Sequence, residues 1–351
     1  MRRLSSPVER AFWQRPTAQE IRGTEGMRVC VYGAGAVGGH IAGRLAKGGV
    51  EVSLVARGAH LAAIQAKGLR VEAKDGNMLV HPAASGDPRA LGRQDAVIVA
   101  VKAPSLPQVA AGIDPLLGHD TPVIFAMNGI PWWYFHASDG PLDGTRLPRL
   151  DPDGAIWDTV GPNRAVGAVA YTACTVTAPG VIHVENPRNR LILGRPDGRS
   201  DPRIETLAAA LRAGGLEVEV TGRIRDAIWA KLLMNLMGGS LGILTASAMK
   251  DAFSNPAVAS AAAAMAREGA AIARALGCNP GDPEAGLPRL AASTHKQSIL
   301  QDLERGRSME VDALLLVPLE LARLAEIPTP ILDLIVGLAM QRARAAGLYT
   351  S

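Results

Sequence analysis

The segment Arg28-Val29-Cys30-Val31-Tyr32-Gly33-Ala34-Gly35-Ala36-Val37-Gly38-Gly39 decides the reading of this chain. A short apolar run enters a Gly-x-Gly-x-x-Gly turn, and a segment of helical pattern follows from Val37 to Lys47. Each glycine in such a turn has a mechanical task. Gly33 permits the sharp exit from the strand, Gly35 lets a pyrophosphate approach the backbone, and Gly38 lets helix and strand pack closely. The helix start at Ala36 and Val37 adds unpaired N–H groups and the positive end of the helix dipole. A second strand pattern, Val50 to Val55, closes a βαβ unit. Glycine turns are common, but one set between a strand and a helix reads as a dinucleotide site.

The end of the second strand selects the dinucleotide. An acid about 20 residues beyond the glycines would bind a ribose 2′-hydroxyl, and Leu54-Val55-Ala56-Arg57-Gly58 has none. Arg57 suits a 2′-phosphate through a charge-assisted, bidentate contact; its other reading is a solvated strand end. The expectation is NADP(H).

The 351 residues suffice for two domains with sizeable cores, and 48% hydrophobic residues fit a soluble globular chain. Net charge is +4 with no Lys/Arg stripe, which argues against a nucleic-acid partner. Cys30, Cys174 and Cys278 are far apart and read as reduced core residues, and no His/Cys spacing suits a metal. Apolar stretches such as Ala313 to Leu321 end well before spanning length, and Met1 to Gly26 lacks a secretory h-region, so a cytoplasmic location and no membrane partner are expected. Residues 1–26 are expected to be a loose N-terminal extension and enter no fold argument.

Further along, Asp75-Gly76 marks a hairpin between Leu69–Ala73 and Asn77–His81. Ala96 to Val101 and Pro122 to Met127 are continuous apolar runs of the kind that form buried parallel strands. They end in Lys102 and in Asn128-Gly129, and polar residues at such strand ends stand where open α/β sheets bind ligands. Ser138 to Arg164, rich in Gly, Pro and Asp, reads as a long loop. The aromatic run Trp132-Trp133-Tyr134-Phe135 precedes it and either anchors the loop on the core or walls a pocket. Ala165–Thr177 and Gly180–Glu185 suggest a hairpin, Arg190–Gly194 a third strand, and Leu216–Val220 the last strand. From Ile224 the pattern is helical: Asp226–Met237, Pro256–Leu276, Ser298–Arg305, Met309–Leu324 and Pro330–Ala346. The expected organisation is an N-terminal Rossmann dinucleotide-binding α/β domain at 27–222, holding the 138–164 loop, followed by an all-helical domain at 223–351.

Lys231 and Asn235 share one face of an otherwise apolar helical segment. A lysine there lines a cavity, has a partner, or snorkels to the surface, because burying an unpaired charge is expensive. An apolar setting disfavours the charged form, which suits a general acid. Glu310 stands at the start of a helical pattern after Ser308, where an acid also serves the helix dipole and Ser308 could cap. Ser298 and Asp302 share a face of the preceding segment, and Ser298 could likewise be a cap.

Taken together, Gly33-x-Gly35-x-x-Gly38, Lys102, Asn128-Gly129, Lys231-x-x-x-Asn235 and Ser298-Ile-Leu-Gln-Asp302…Glu310-Val-Asp312 resemble the ketopantoate reductase family in order and approximate spacing, from Met27 to the C-terminus. The resemblance implies NADPH-dependent reduction of 2-dehydropantoate, a small 2-oxo acid, to pantoate on the route to coenzyme A, and a homodimer through the helical domain. It implies that Lys231 gives the proton to the carbonyl oxygen and that Glu310 bonds the substrate hydroxyl. Asn235 and Ser298 would hold substrate, and Asn128, Lys102 and Glu310 would meet both substrate and cofactor. Two departures stand out: Gly239 occupies a place where family members often carry a second Asn, and the 138–164 segment is long. Either fits a different 2-oxo acid on the same fold. A non-catalytic NADP(H) sensor is the remaining alternative, and it would leave Lys231, Asn235, Ser298 and Glu310 without purpose.

Overall fold

The computed structural model describes residues 26–349, so the expectation of a loose extension over residues 1–26 lies, but for Gly26, outside the described residues. In chain order the strands are β1 (Arg28–Tyr32), β2 (Glu51–Val55), β3 (Leu69–Ala73), β4 (Met78–Val80), β5 (Ala83–Ser85), β6 (Ala96–Val99), β7 (Val123–Phe125), β8 (Ala165–Tyr171), β9 (Cys174–Ala178), β10 (Val181–Val184), β11 (Arg190–Gly194) and β12 (Glu217–Val220). The helices are α1 (Ala36–Lys47), α2 (Gly58–Lys67), α3 (Leu106–Gly112), α4 (Ala155–Val160), α5 (Pro202–Ala213), α6 (Ile224–Thr245), α7 (Met249–Ala252), α8 (Pro256–Ala275), α9 (Leu287–Ala291), α10 (Ser298–Glu304), α11 (Val317–Leu324) and α12 (Pro330–Ala345).

Two compact units form. The first comprises residues up to Val101 with Pro107–Met127 and Ala155–Ile224; the second comprises Lys102–Leu106, Asn128–Gly154 and Arg225 onward. In the first, eight strands lie in the order β12-β11-β8-β7-β6-β1-β2-β5. Every neighbouring pair is parallel except β8 and β11. The continuous apolar runs of β1, β6 and β7 are buried throughout save Arg28, as strands covered on both faces require. A second sheet, β4-β3-β10-β9, lies across α1. Close packing there explains glycines inside a helix, where each costs about 1 kcal/mol relative to Ala. A Cβ on Gly39 would lie 2.8 Å from Ile182, and one on Gly43 would lie 2.8 Å from Val71.

Several expectations need correction. Ala165–Thr177 is not one strand: it divides into β8 in the large sheet and β9 in the small one, and only β9 forms the hairpin with β10. The 138–164 segment is not an unbroken loop, because α4 occupies Ala155–Val160 within it. Of the two readings of the aromatic run before it, the core one holds: Trp132, Trp133, Tyr134 and Phe135 are at most 2% exposed. Cys30 and Cys278 are buried, whereas Cys174 is only partly so. Among the described residues one helix, α6, is long and apolar enough to cross a membrane by length and composition, unlike the shorter Ala313–Leu321 stretch. Most of its apolar window is buried inside the protein, so α6 is a core helix.

The second unit is helical. Its aromatic segment is clamped by the start of α6: Arg225 donates to the carbonyls of Tyr134 (2.8 Å) and His136 (2.5 Å), and Trp229 Nε1 donates to the Tyr134 hydroxyl at 2.7 Å. Met309–Leu324 is not a single α-helix. A π-helical stretch, Asp312–Leu316, precedes α11. The cause is local. Pro318 has no N–H to return to Leu314, and the Ala313 carbonyl is taken by Ile130 N–H at 2.9 Å.

Candidate active site

The opened turn at Ala313 builds the site. Gly129 has φ +86° and a Cβ there would lie 2.3 Å from the Ala313 oxygen, so only glycine lets this segment lie so close. Its docking sets the preceding residue, Asn128, beside Glu310. Lys231 Nζ, on α6, donates to Asn128 Oδ1 at 2.7 Å, and the Asn128 amide is close enough to Glu310 to favour its ionised form. Asn128 therefore joins the cation and the carboxyl through opposite ends of one amide.

Glu310 is 7% exposed. Burial pushes its carboxyl above the ordinary carboxylate range; the Ala103 N–H, 3.4 Å from Oε1, the Lys102 charge and the Asn128 amide oppose that push. Lys102 Nζ lies 2.6 Å from Asp302 Oδ2 and donates to the Ser308 carbonyl at 3.1 Å. Asp302 is buried and also meets Arg307 at 3.3 Å, so two cations offset one buried acid. The sequence offers Asp302 as a face-mate of Ser298 and as a member of the family pattern, but gives it no role; the ion pair with Lys102 supplies one.

Other candidates take their places as follows. Asn235 lies one turn beyond Lys231 on the same face of α6, half-buried. Ser298 is exposed at the first position of α10 and caps nothing with its side chain, and Ser308 caps nothing either, since the helix after it begins beyond Glu310 without a side-chain cap. Asp312 is outside the cluster: it accepts from Tyr349 at 2.7 Å and pairs with Arg149. The structure thus brings together Lys231, Asn128, Glu310 and Lys102, and leaves Asn235 and Ser298 without a side-chain bond to any of them.

In the first unit the glycine turn has the expected geometry. Gly33 has φ +104°, and a Cβ there would lie 2.7 Å from Val101. A Cβ on Gly38 would lie 2.0 Å from the Gly33 oxygen, whereas the same position on Gly35 has nothing within 4 Å. Gly35 is exposed and opens α1 with no side-chain cap, leaving the N–H groups at Ala36 and Val37 available to an anion. That clear approach fits a dinucleotide pyrophosphate. Arg57 is exposed at the end of β2, where its guanidinium donates to Gln108 at 2.8 Å. The second strand's end carries no acid.

Comparison with known proteins matches both parts of the chain. Residues 29–138 match the family "Ketopantoate reductase PanE/ApbA", and residues 223–343 match its C-terminal region. A 2-dehydropantoate 2-reductase from Mesorhizobium japonicum is 43% identical over 332 residues, covering 92% of this chain and all of the relative. One from Halobacterium salinarum is 28% identical, covering 87% and 95%. A crystal structure of a candidate ketopantoate reductase from Ralstonia solanacearum superposes with a TM-score of 0.84 at 39% identity, covering 92% of this chain and 99% of that one. A D-mandelate dehydrogenase in complex with NADH shares the fold, with a TM-score of 0.77 at 18% identity.

The fold and its glycine turn define a Rossmann-type oxidoreductase with an added helical region. The pair of matches and the Mesorhizobium relative narrow that class, and the chain belongs to the ketopantoate reductase family, PanE/ApbA.

Proposed function

We propose that this chain reduces ketopantoate to pantoate with NADPH, within pantothenate and coenzyme A biosynthesis in the cytoplasm, as a homodimer. The observation that carries the reading is the Lys231–Asn128–Glu310 relay on a member of this family. When bound, the nicotinamide supplies hydride to the substrate carbonyl carbon. Lys231 gives a proton to the carbonyl oxygen as that charge develops, and Asn128 aims the ammonium by accepting one of its hydrogens. Glu310, held next to Asn128, accepts from the substrate hydroxyl, and Asn235 and Ser298 hold the substrate. Gly33, Gly35, Ala36, Val37 and Gly38 hold the dinucleotide phosphates, Arg57 the 2′-phosphate, and Lys102, Asn128 and Glu310 border the nicotinamide end. A silent NADP(H) sensor has no use for a lysine oriented in this way.

The lack of a polar side chain at Gly239 favours a second reading, another 2-oxo acid reduced by the same residues. The test follows loss of nicotinamide absorbance with ketopantoate and a panel of 2-oxo acids, using NADPH and NADH. Oxidation of NADPH by ketopantoate supports the proposal, turnover of another acid alone selects the second reading, and tight NADPH binding without turnover overturns both. Sedimentation velocity at micromolar concentration checks the dimer.

A further inference from the structure

Along α6, Lys231, Asn235, Gly238, Gly239 and Gly242 fall at intervals of four, three, one and three, which places them on one stripe. Glycine weakens a helix interior, so three on one face call for a close neighbour. That neighbour is the start of α10. A Cβ on Gly239 would lie 3.3 Å from Ile299, and one on Gly242 would lie 3.8 Å from Leu300. Both partners are fully buried, and their contacts are ordinary packing.

Gln297 differs from them. A Cβ on Gly238 would lie 3.1 Å from its Cδ and 3.4 Å from its Nε2, so the carboxamide itself rests on the helix one turn beyond Asn235. It is half-buried, yet makes no side-chain hydrogen bond to any described residue. Gln301, a turn later, bonds the Lys296 carbonyl at 2.9 Å. The Asn235 amide and the Ser298 hydroxyl are equally without an intramolecular bond among the described residues. Unspent amides in a partly dried location are costly unless something else uses them. The Gln297 carboxamide thus rests on the stripe that carries Lys231 and Asn235, and it brings no charge of its own.

Resting on the reading of Lys231 as proton donor to a 2-oxo acid, we infer that Gln297 is a substrate-binding, specificity-determining residue. Its carboxamide donates to the substrate carboxylate alongside Asn235 and Ser298, doing from α10 what no side chain does at Gly238 and Gly239. Smaller residues at 238 and 239 leave the room, and Gln297 fills it with a donor of longer reach.

The experiment measures ketopantoate kcat and KM, and NADPH affinity by fluorescence, for wild type, Gln297→Met and Gln297→Glu. Methionine keeps the packing on Gly238 without the donor. Glutamate keeps the shape but repels a carboxylate, whereas it would still accept from a hydroxyl. Gln297→Met should raise KM about tenfold or more with kcat within about threefold, Gln297→Glu should raise KM further, and NADPH affinity should stay unchanged. A wild-type KM in Gln297→Met overturns the inference, and so does a KM for Gln297→Glu below that of Gln297→Met. A wild type inactive on ketopantoate overturns the substrate reading alone, and the same three proteins are then compared on whichever 2-oxo acid of the panel is reduced.

Discussion

Lys231 and Asn128 are 103 positions apart in the chain, yet Nζ of the first donates to Oδ1 of the second at 2.7 Å. The bond fixes where the ammonium points, and Asn128 in turn is fixed by its own contact with Glu310. On the proposed reading, removing the ammonium removes the proton source and leaves the glycine turn of the first unit untouched. Lys231→Ala should lower kcat by about 10²–10⁴-fold, with NADPH affinity unchanged in a fluorescence titration. Equal kcat in the variant and the wild type would remove Lys231 from the chemistry.

Gly129 tests the support beneath that bond. An alanine there meets the Ala313 oxygen at 2.3 Å and must also hold φ near +86°, a strain of about 1–3 kcal/mol. Gly129→Ala should therefore lower the urea midpoint. It should also reduce kcat, because the Asn128 segment can no longer lie on the π-turn. Loss of stability with kcat intact would show that the docking serves the fold alone.

Glu310 gives a pH dependence of definite sign. Its folded carboxyl titrates above the ordinary value of 4.5, so the folded state keeps a proton that the unfolded chain has released. Stability contributed by this site is full below about 4.5 and falls as pH rises through the raised value. Glu310→Gln does not titrate. The stability of the variant relative to wild type, measured by urea denaturation from pH 4 to pH 8, should grow with pH and then level off. A difference that does not change with pH would contradict the burial argument.

His40 predicts the opposite slope in the first unit. Thr172 gives its hydroxyl hydrogen to Asn189 at 2.7 Å and faces His40 Nδ1 at 3.2 Å, while Arg44 Nε donates to His40 Nε2 at 3.1 Å. The ring is thus held neutral, with its hydrogen on Nδ1. Burial, then the Arg44 charge, pushes its pKa down to about 4, against a weaker pull from Asp75. Arg44 cannot move away, because it grips Asp75 at 2.5 and 2.7 Å. Unfolded chains protonate histidine near 6.5, so wild type should lose on the order of 3 kcal/mol as pH falls from about 6.5 to about 4. In His40→Gln that part of the pH profile should be flat.

The sequence by itself determined the elements that rest on local chemistry. The Arg28–Gly39 segment announced strand, turn and helix because the glycine spacing has few other mechanical uses, and the structure shows the expected close contact of Gly38 with Gly33. The absence of an acid after β2, the hairpin at Asp75-Gly76 and the shared face of Lys231 and Asn235 were likewise legible, since each depends on residues only a few positions apart. Only the tertiary structure decided that Lys102–Leu106 and Asn128–Gly154 pack with the C-terminal helices, and that Trp132–Phe135 is core. The joining of Asn128 to Lys231 and Glu310, and of Lys102 to Asp302, also belongs to it. Those relationships join residues about 100 or 200 positions apart, and the Asn128 segment is held by the opened carbonyl at Ala313. Neither a spacing nor a hydropathy pattern carries that information, because a long-range contact is selected by the shape of both surfaces at once.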